Sequence, residues 1–227
     1  MANTLPWALS HTQVAVEAVA TIAFALSGVI EGARKRLDAV GIGVVAGLAA
    51  FGGGTVRDIL LDRRPLFWVQ HPAWVWTVLA LCVGAMLFMR ANHLDPTERA
   101  MQWPDALGLG LFTAVGTQIA IDAEMPAVVA VILGMVTAVF GGVLRDIVCN
   151  EIPRAFSDHR PYAICSFMGG WVMVLAHAGD LPQWAALLAA ASTATALRVA
   201  AILLDWRLPA WQAGMAAPDR SRDPPGP

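Results

Sequence analysis

Gly53, Arg57, Asp58, Ile59 and Pro65 recur in the same order, without a gap, as Gly141, Arg145, Asp146, Ile147 and Pro153, each 88 positions further on. Upstream the register holds through Ala18 and Ala106, Phe24 and Phe112, Gly28 and Gly116, Ala39 and Ala127, and Val40 and Val128. A short motif can recur by chance, but a register kept over this length marks an internal duplication. Whatever one half folds into, the other half must fold into as well.

The duplicated segment is strongly apolar. With 57% hydrophobic and 14% charged residues and a mean hydropathy of +0.60, the chain reads as an integral membrane protein. About 20 apolar residues are needed to cross about 30 Å of hydrocarbon. Candidate spans lie near residues 14–30, 39–60, 73–89, 105–122, 126–148, 161–178 and 184–204, the third and sixth being short. Three fall in each copy and one lies beyond the repeat. An odd number of crossings per copy makes the second half enter from the opposite side, so the halves are inverted. The expected fold is all-α, with seven transmembrane helices as two inverted three-helix repeats plus one C-terminal helix, the second and fifth helices kinked. Residues 1–13 read as an extracytoplasmic segment, 14–90 as the first repeat, 91–178 as the second, 179–207 as the seventh helix and 208–227 as a disordered cytoplasmic tail. Residues 1–30 lack the pattern of a removable signal peptide.

Short-loop Lys and Arg set the orientation. With the N-terminus outside, the inner segments carry 11 such residues and the outer ones only Arg57, Arg63 and Arg64, which places the C-terminus in the cytoplasm of a cell-membrane protein. Trp68, Trp74, Trp76 and Trp184 outside, with Trp103 and Trp206 inside, fall where aromatic belts lie. The net charge of −2 argues against nucleic acid. Cys82, Cys149 and Cys165 lack metal or disulfide spacing and read as small buried hydrophobes.

Gly52, Gly53 and Gly54, and their counterparts Gly141 and Gly142, lie about 21 Å from the start of their spans at 1.5 Å per residue. Glycines weaken a helix by up to about 1 kcal/mol each. Paired interruptions in inverted halves point to a transport site, where freed carbonyls suit an alkali cation. The competing reading is close helix packing, preferred here for Gly28, Gly47, Gly116 and Gly134. For Gly52, Gly53, Gly54, Gly141 and Gly142 a bend is expected, because an Arg-Asp pair follows each group at the same offset. Arg57-Asp58 and Arg145-Asp146 read either as ion pairs reaching the other half or as vestibule charges facing the permeant species.

Ser27, Thr117 and Gln118 either line a pore or back-bond to their own helices. Glu17 and Asp105 read as favourable charges at helix starts, Asp38 and Asp122 as helix-end residues, and Arg198 as a snorkelling side chain. Asp58, Asp62, Asp122 and Glu124 are candidates for an acidic outer mouth. Enzyme readings fail: the glycines of residues 41–47 lie inside a span with no preceding strand, and no intramembrane nucleophile, base or metal pair is spaced for catalysis. The histidines fall in loops or at span ends.

Two Gly-Gly-x-x-Arg-Asp copies, each closing the second helix of a three-helix unit with a seventh helix appended, resemble the prokaryotic trimeric intracellular cation (TRIC) channels. The resemblance covers residues 14–204. It implies a homotrimer in the membrane with a pore in each protomer between the repeats, conducting monovalent cations, chiefly K+, and needing no cofactor. It implies further that the kinked second and fifth helices shape that pore, at Gly52, Gly53, Gly54, Arg57 and Asp58 and at Gly141, Gly142, Arg145 and Asp146. Phe140 stands where the first copy has Gly52, a departure from strict repetition. Similar bacterial proteins are described as glycine transporters, so a carrier for a small solute is the rival reading, and a scaffold without transport is the third.

Overall fold

The computed structural model describes residues 10–91 and 97–209, and all the secondary structure there is helical. The order is α1 His11–Arg34, α2 Ala39–Leu60, α3 Phe67–Gln70, α4 Pro72–Ala91, α5 Glu98–Asp122, α6 Ala127–Val148, α7 Arg154–Ser157, α8 Ala163–Ala178 and α9 Gln183–Leu203. Among the described residues six helices are long and apolar enough to cross a membrane, and α8, with 16 residues, is a shorter apolar helix. The tail beyond residue 209 lies outside the described residues.

The duplication is visible in the helix bounds. α2 and α6 are each 22 residues long and start 88 positions apart. Their ends match too: Asp62 and Asn150, at equivalent positions, both take a left-handed backbone just past the helix. In each, the next N–H returns to an aspartate carbonyl, Arg63 to Asp58 and Glu151 to Asp146, which satisfies the last turn. The short helices α3 and α7 were not foreseen, yet they occupy corresponding places. α5 starts at Glu98 rather than 105, because Thr97 caps it at Ala100 N and the helix runs on through Pro104 at the loss of one backbone hydrogen bond. Asp105 is therefore inside a helix, not at its start.

The halves are inverted. Gln13, at the start of α1, donates to Asp122, the last residue of α5, at 2.6 Å, so these equivalent helices run antiparallel. Phe24 and Phe112, equivalent and buried, stack with centroids 5.5 Å apart between α1 and α5. α2 and α6 cross at the glycines. A Cβ on Gly53 would overlap the Thr137 carbonyl, and one on Gly141 would overlap the carbonyl of Ala49, the residue equivalent to Thr137. These reciprocal contacts place a pseudo-twofold axis between the halves, within a core of α1, α2, α5 and α6.

At this crossing α2 and α6 are helical without interruption through their glycines, and among the described residues no glycine has a positive φ. Small residues bring two backbones together, which is the packing reading. Gly52 faces the Leu144 side chain and Gly54 the Phe67 ring. Gly28, Gly116 and Gly134 also pack closely, whereas nothing lies within 4 Å of a Cβ on Gly47, so packing does not account for that glycine. Phe140 is half-exposed on the outside of α6.

The C-terminal helix α9 lies against α5 and α8, with Gly110 facing the Ala191 carbonyl and Gly169 facing Ala194. It has no counterpart on the first half. There α4 is the outermost span: 11% of its apolar window is buried, against 78% for α5. Trp76, Leu87 and Phe88 are exposed on it, as suits a lipid-facing helix.

Candidate functional site

α5 is the most enclosed of the spans, and like α1 it carries buried polar groups along its length. Asp105, Thr113, Thr117 and Gln118 are all buried, and from Asp105 to Gln118 the helix rises about 20 Å at 1.5 Å per residue. Polar side chains inside a bilayer are costly and mark pathways or structural networks. Here they lie between two charged clusters, one at each end of the four-helix core.

At the first cluster Arg57 Nη1 donates to Glu17 Oε1 at 2.7 Å, and its Nε to Asp58 Oδ1 at 2.9 Å. Asp58 Oδ2 accepts the Phe67 N–H at 2.8 Å, which fixes the start of α3 and brings the Phe67 ring to 5.4 Å from the guanidinium carbon. Arg63, also buried, has Nη1 3.6 Å from Asp58 Oδ1. The second cluster repeats the plan. Arg145 Nη1 donates to Asp105 Oδ1 at 2.5 Å, its Nε to Asp146 Oδ1 at 2.9 Å, and Asp146 Oδ2 accepts the Arg154 N–H at 3.0 Å. Glu17 and Asp105 are equivalent by the repeat, as are the arginines and the following aspartates.

The Arg-Asp pairs are thus structural ion pairs, with Arg57 0% and Arg145 2% exposed. Their main carboxylate partner comes from the first helix of the same half, not from the other half as expected. Arg145 alone also reaches across, to Ser27 Oγ on α1. Glu17 and Asp105 are partners in these clusters rather than helix-start charges. The sequence signal that would have found them is their equivalence: an acid kept at the same offset before an Arg-Asp motif in both copies.

Ser27 is therefore a member of the second cluster. Thr117 lies between the clusters with its hydroxyl buried and without a hydrogen-bond partner among the described residues, facing Gly134 and Gly170. Thr113 shares a 2.6 Å hydrogen bond with Ser166 of α8. Gln118 Nε2 donates to Asp122 at 2.7 Å, so Asp122 gathers two amides beside the first cluster. Among the expected acidic-mouth residues, Asp58 is buried while Asp62, Asp122 and Glu124 are exposed. Asp38 caps α2 at Gly41 N as expected, and the three cysteines are free and buried. Arg198 does not snorkel: it is 2% exposed, stacks over Tyr162 at 4.7 Å and donates to the Pro161 carbonyl at 3.1 Å.

Outside the spans, Glu151 accepts from Lys35, and that bond holds its carboxyl below the ordinary value. Arg34 and Arg154 meet at Glu31 close by, so this end carries an extended charge network beside the second cluster.

A family model described as glycine transporter matches residues 14–90 and again residues 102–178, one match per repeat. The chain is 31% identical over 198 residues to a UPF0126 membrane protein of Vibrio cholerae, covering 86% of this chain and 80% of that one. It is 32% identical over 195 residues to the UPF0126 inner membrane protein YadS of Escherichia coli, covering 86% and 93%. Among solved structures it is similar to the TRIC trimeric intracellular cation channel orthologue from Rhodobacter sphaeroides, with 30% identity and a TM-score of 0.80 over 87% of this chain and 100% of that one. A second TRIC cation channel structure matches with 29% identity and a TM-score of 0.77, covering 88% and 97%.

Proposed function

This chain belongs to the family described as glycine transporter, and from that membership and its TRIC fold we propose that it is a channel for monovalent cations, chiefly K+. The observation that carries the reading is the set of buried polar groups on α5, which lies between two buried arginine–carboxylate clusters, one at each end of the core. Each arginine meets two carboxylates, Glu17 and Asp58 or Asp105 and Asp146. That leaves one formal negative charge in excess per cluster, with Arg63 beside the first and Arg198, stacked over Tyr162, beside the second.

The proposed path runs between the repeats, past Ser27 and Thr117, with Gly52, Gly53 and Gly141 holding α2 against α6 at its side and Gly54 and Gly142 packed against Phe67 and Tyr162. Arg57, Asp58, Arg145 and Asp146 close its two ends. Opening needs the guanidinium groups to move, since both are buried and bonded in this structure. The proposed assembly is a homotrimer in a lipid bilayer of the cell membrane, N-terminus outside, as the positive-inside count favours.

Purified protein in planar bilayers is expected to give unitary, K+-preferring currents. A second reading, a carrier for a small solute such as glycine, is favoured by the family's description and by the inverted repeats. Saturable, ion-coupled glycine uptake into proteoliposomes with no unitary current would replace the channel reading with it.

A further inference from the structure

Among the positions of the repeat at which the two clusters differ, one carries an aromatic residue in both halves. Where the second half has Tyr162, the first has Trp74. Tyr162 is buried and its hydroxyl donates to Asp105 Oδ2 at 2.8 Å, the oxygen that Arg145 does not hold. Trp74, an indole turned edge-on to Phe67 at 5.6 Å, brings no such bond, and Glu17 Oε2 is buried with no partner among the described residues. Behind Tyr162 stands Arg198 of α9, stacked over the phenol ring and tied to Pro161 and Asp158, the residues just before α8. The order of contacts is Arg198, Tyr162, Asp105, Arg145, Ser27, and it connects the helix outside the repeat to the charged end of the core.

We infer that Tyr162, clamped by Arg198, is a latch that holds the Asp105–Arg145 cluster closed, so that opening at this end depends on α9 while the Arg57 end opens without it. The inference rests on the channel reading above. The physical ground is the asymmetry of partners. A carboxylate with both oxygens bonded in a water-poor site keeps its position, and removing one donor leaves a buried acceptor unsatisfied, which favours any state that re-exposes it. Tyr162 is thus a positioning residue: it acts on the path through Asp105 and Arg145.

Single-channel recording of Tyr162→Phe tests this, because the variant keeps the ring under Arg198 and removes only the hydroxyl. Open probability is expected to rise roughly fivefold, the scale set by one buried hydrogen bond acting on a two-state equilibrium. Unitary conductance and K+ preference should not change, since the path itself is untouched, and a merely structural role would lower the yield of assembled protein instead. Adding Arg198→Lys to Tyr162→Phe should give no further increase, as both act through one contact. Trp74→Phe, at the equivalent place in the other half, should leave open probability at the wild-type level. Should Tyr162→Phe fail to assemble, Arg198→Lys alone carries the test, because it keeps the charge and loses the planar stack. Wild-type currents with an unchanged open probability in the assembled variant overturn the latch alone. A wild type that passes no current overturns the channel reading, and the latch with it.

Discussion

Gly53 and Thr137 meet backbone to backbone where α2 crosses α6, and the pseudo-twofold axis makes the same contact again between Gly141 and Ala49. Neither carbonyl is the flexible end of a side chain, so neither can yield to an added methyl group. The crossing is therefore set by the absence of side chains at two equivalent positions, and it fixes how the inverted halves sit against each other.

The first prediction follows directly. Gly53→Ala and Gly141→Ala should each destabilise the protein by about 1–3 kcal/mol through overpacking, with a further loss for Leu. Conductance per surviving channel should stay near wild type. Gly47→Ala, which meets nothing within 4 Å, should be neutral or stabilising by up to about 1 kcal/mol. Thermal unfolding of the solubilised protein, read beside single-channel conductance, checks all three. A fall in conductance with no loss of stability would instead restore a direct role in the pore.

The second concerns pH. Lys35 holds the Glu151 carboxyl below its ordinary value. A group depressed in the folded state contributes stability in full above its unfolded value, and loses it as pH falls through the folded one. Stability should therefore drop below about pH 5, and Lys35→Met should flatten that part of the profile. Glu151 is 36% exposed, so the effect is small and shrinks with salt. Parallel melting curves across this range at low and high salt are the measurement, and identical slopes in the two proteins would remove the pair from the account.

Topology supplies the third. A tag following residue 209 should be reached by a membrane-impermeant reagent only after the cytoplasmic side is opened, because 11 of the loop cations fall on that side. Labelling from outside intact cells would reverse the assignment.

How much of this was legible in the sequence is clearest at the motif itself. The duplication was fully legible because no insertion interrupts the offset between Arg57 and Arg145, and inversion followed from an odd number of spans. The role of Gly53 was not legible, since a glycine that bends a helix and a glycine that admits a neighbour look alike until the neighbour is placed. Glu17 was misread because an acid near a helix start has an adequate local explanation, and the partner 40 residues on is brought to it only by folding. Pro104 concealed the true start of α5, and with it the interior position of Asp105. Arg198 left no trace in the repeat, because α9 lies outside it, and Tyr162 left none because Trp74 stands at its equivalent position.

The last prediction sets the two arginines against each other. Arg57→Ala leaves Glu17 and Asp58 buried with Arg63 and the Phe67 amide near them, and Arg145→Ala leaves Asp105 and Asp146 with Tyr162, Ser27 and the Arg154 amide. Removing one partner of a buried pair typically costs about 3–5 kcal/mol, because the remaining charge is uncompensated. Both variants should lose stability on that scale. Adding Glu17→Gln to Arg57→Ala, or Asp105→Asn to Arg145→Ala, should recover part of it, and the double-mutant cycle measures the coupling. In assembled channels the two losses lie at opposite ends of the proposed path, so each adds surplus negative charge at a different mouth. The resulting rectification should be opposite in sign for Arg57→Ala and Arg145→Ala. Current–voltage curves from oriented single channels decide the matter, and rectification of the same sign in both would place the two clusters away from the ends of one path.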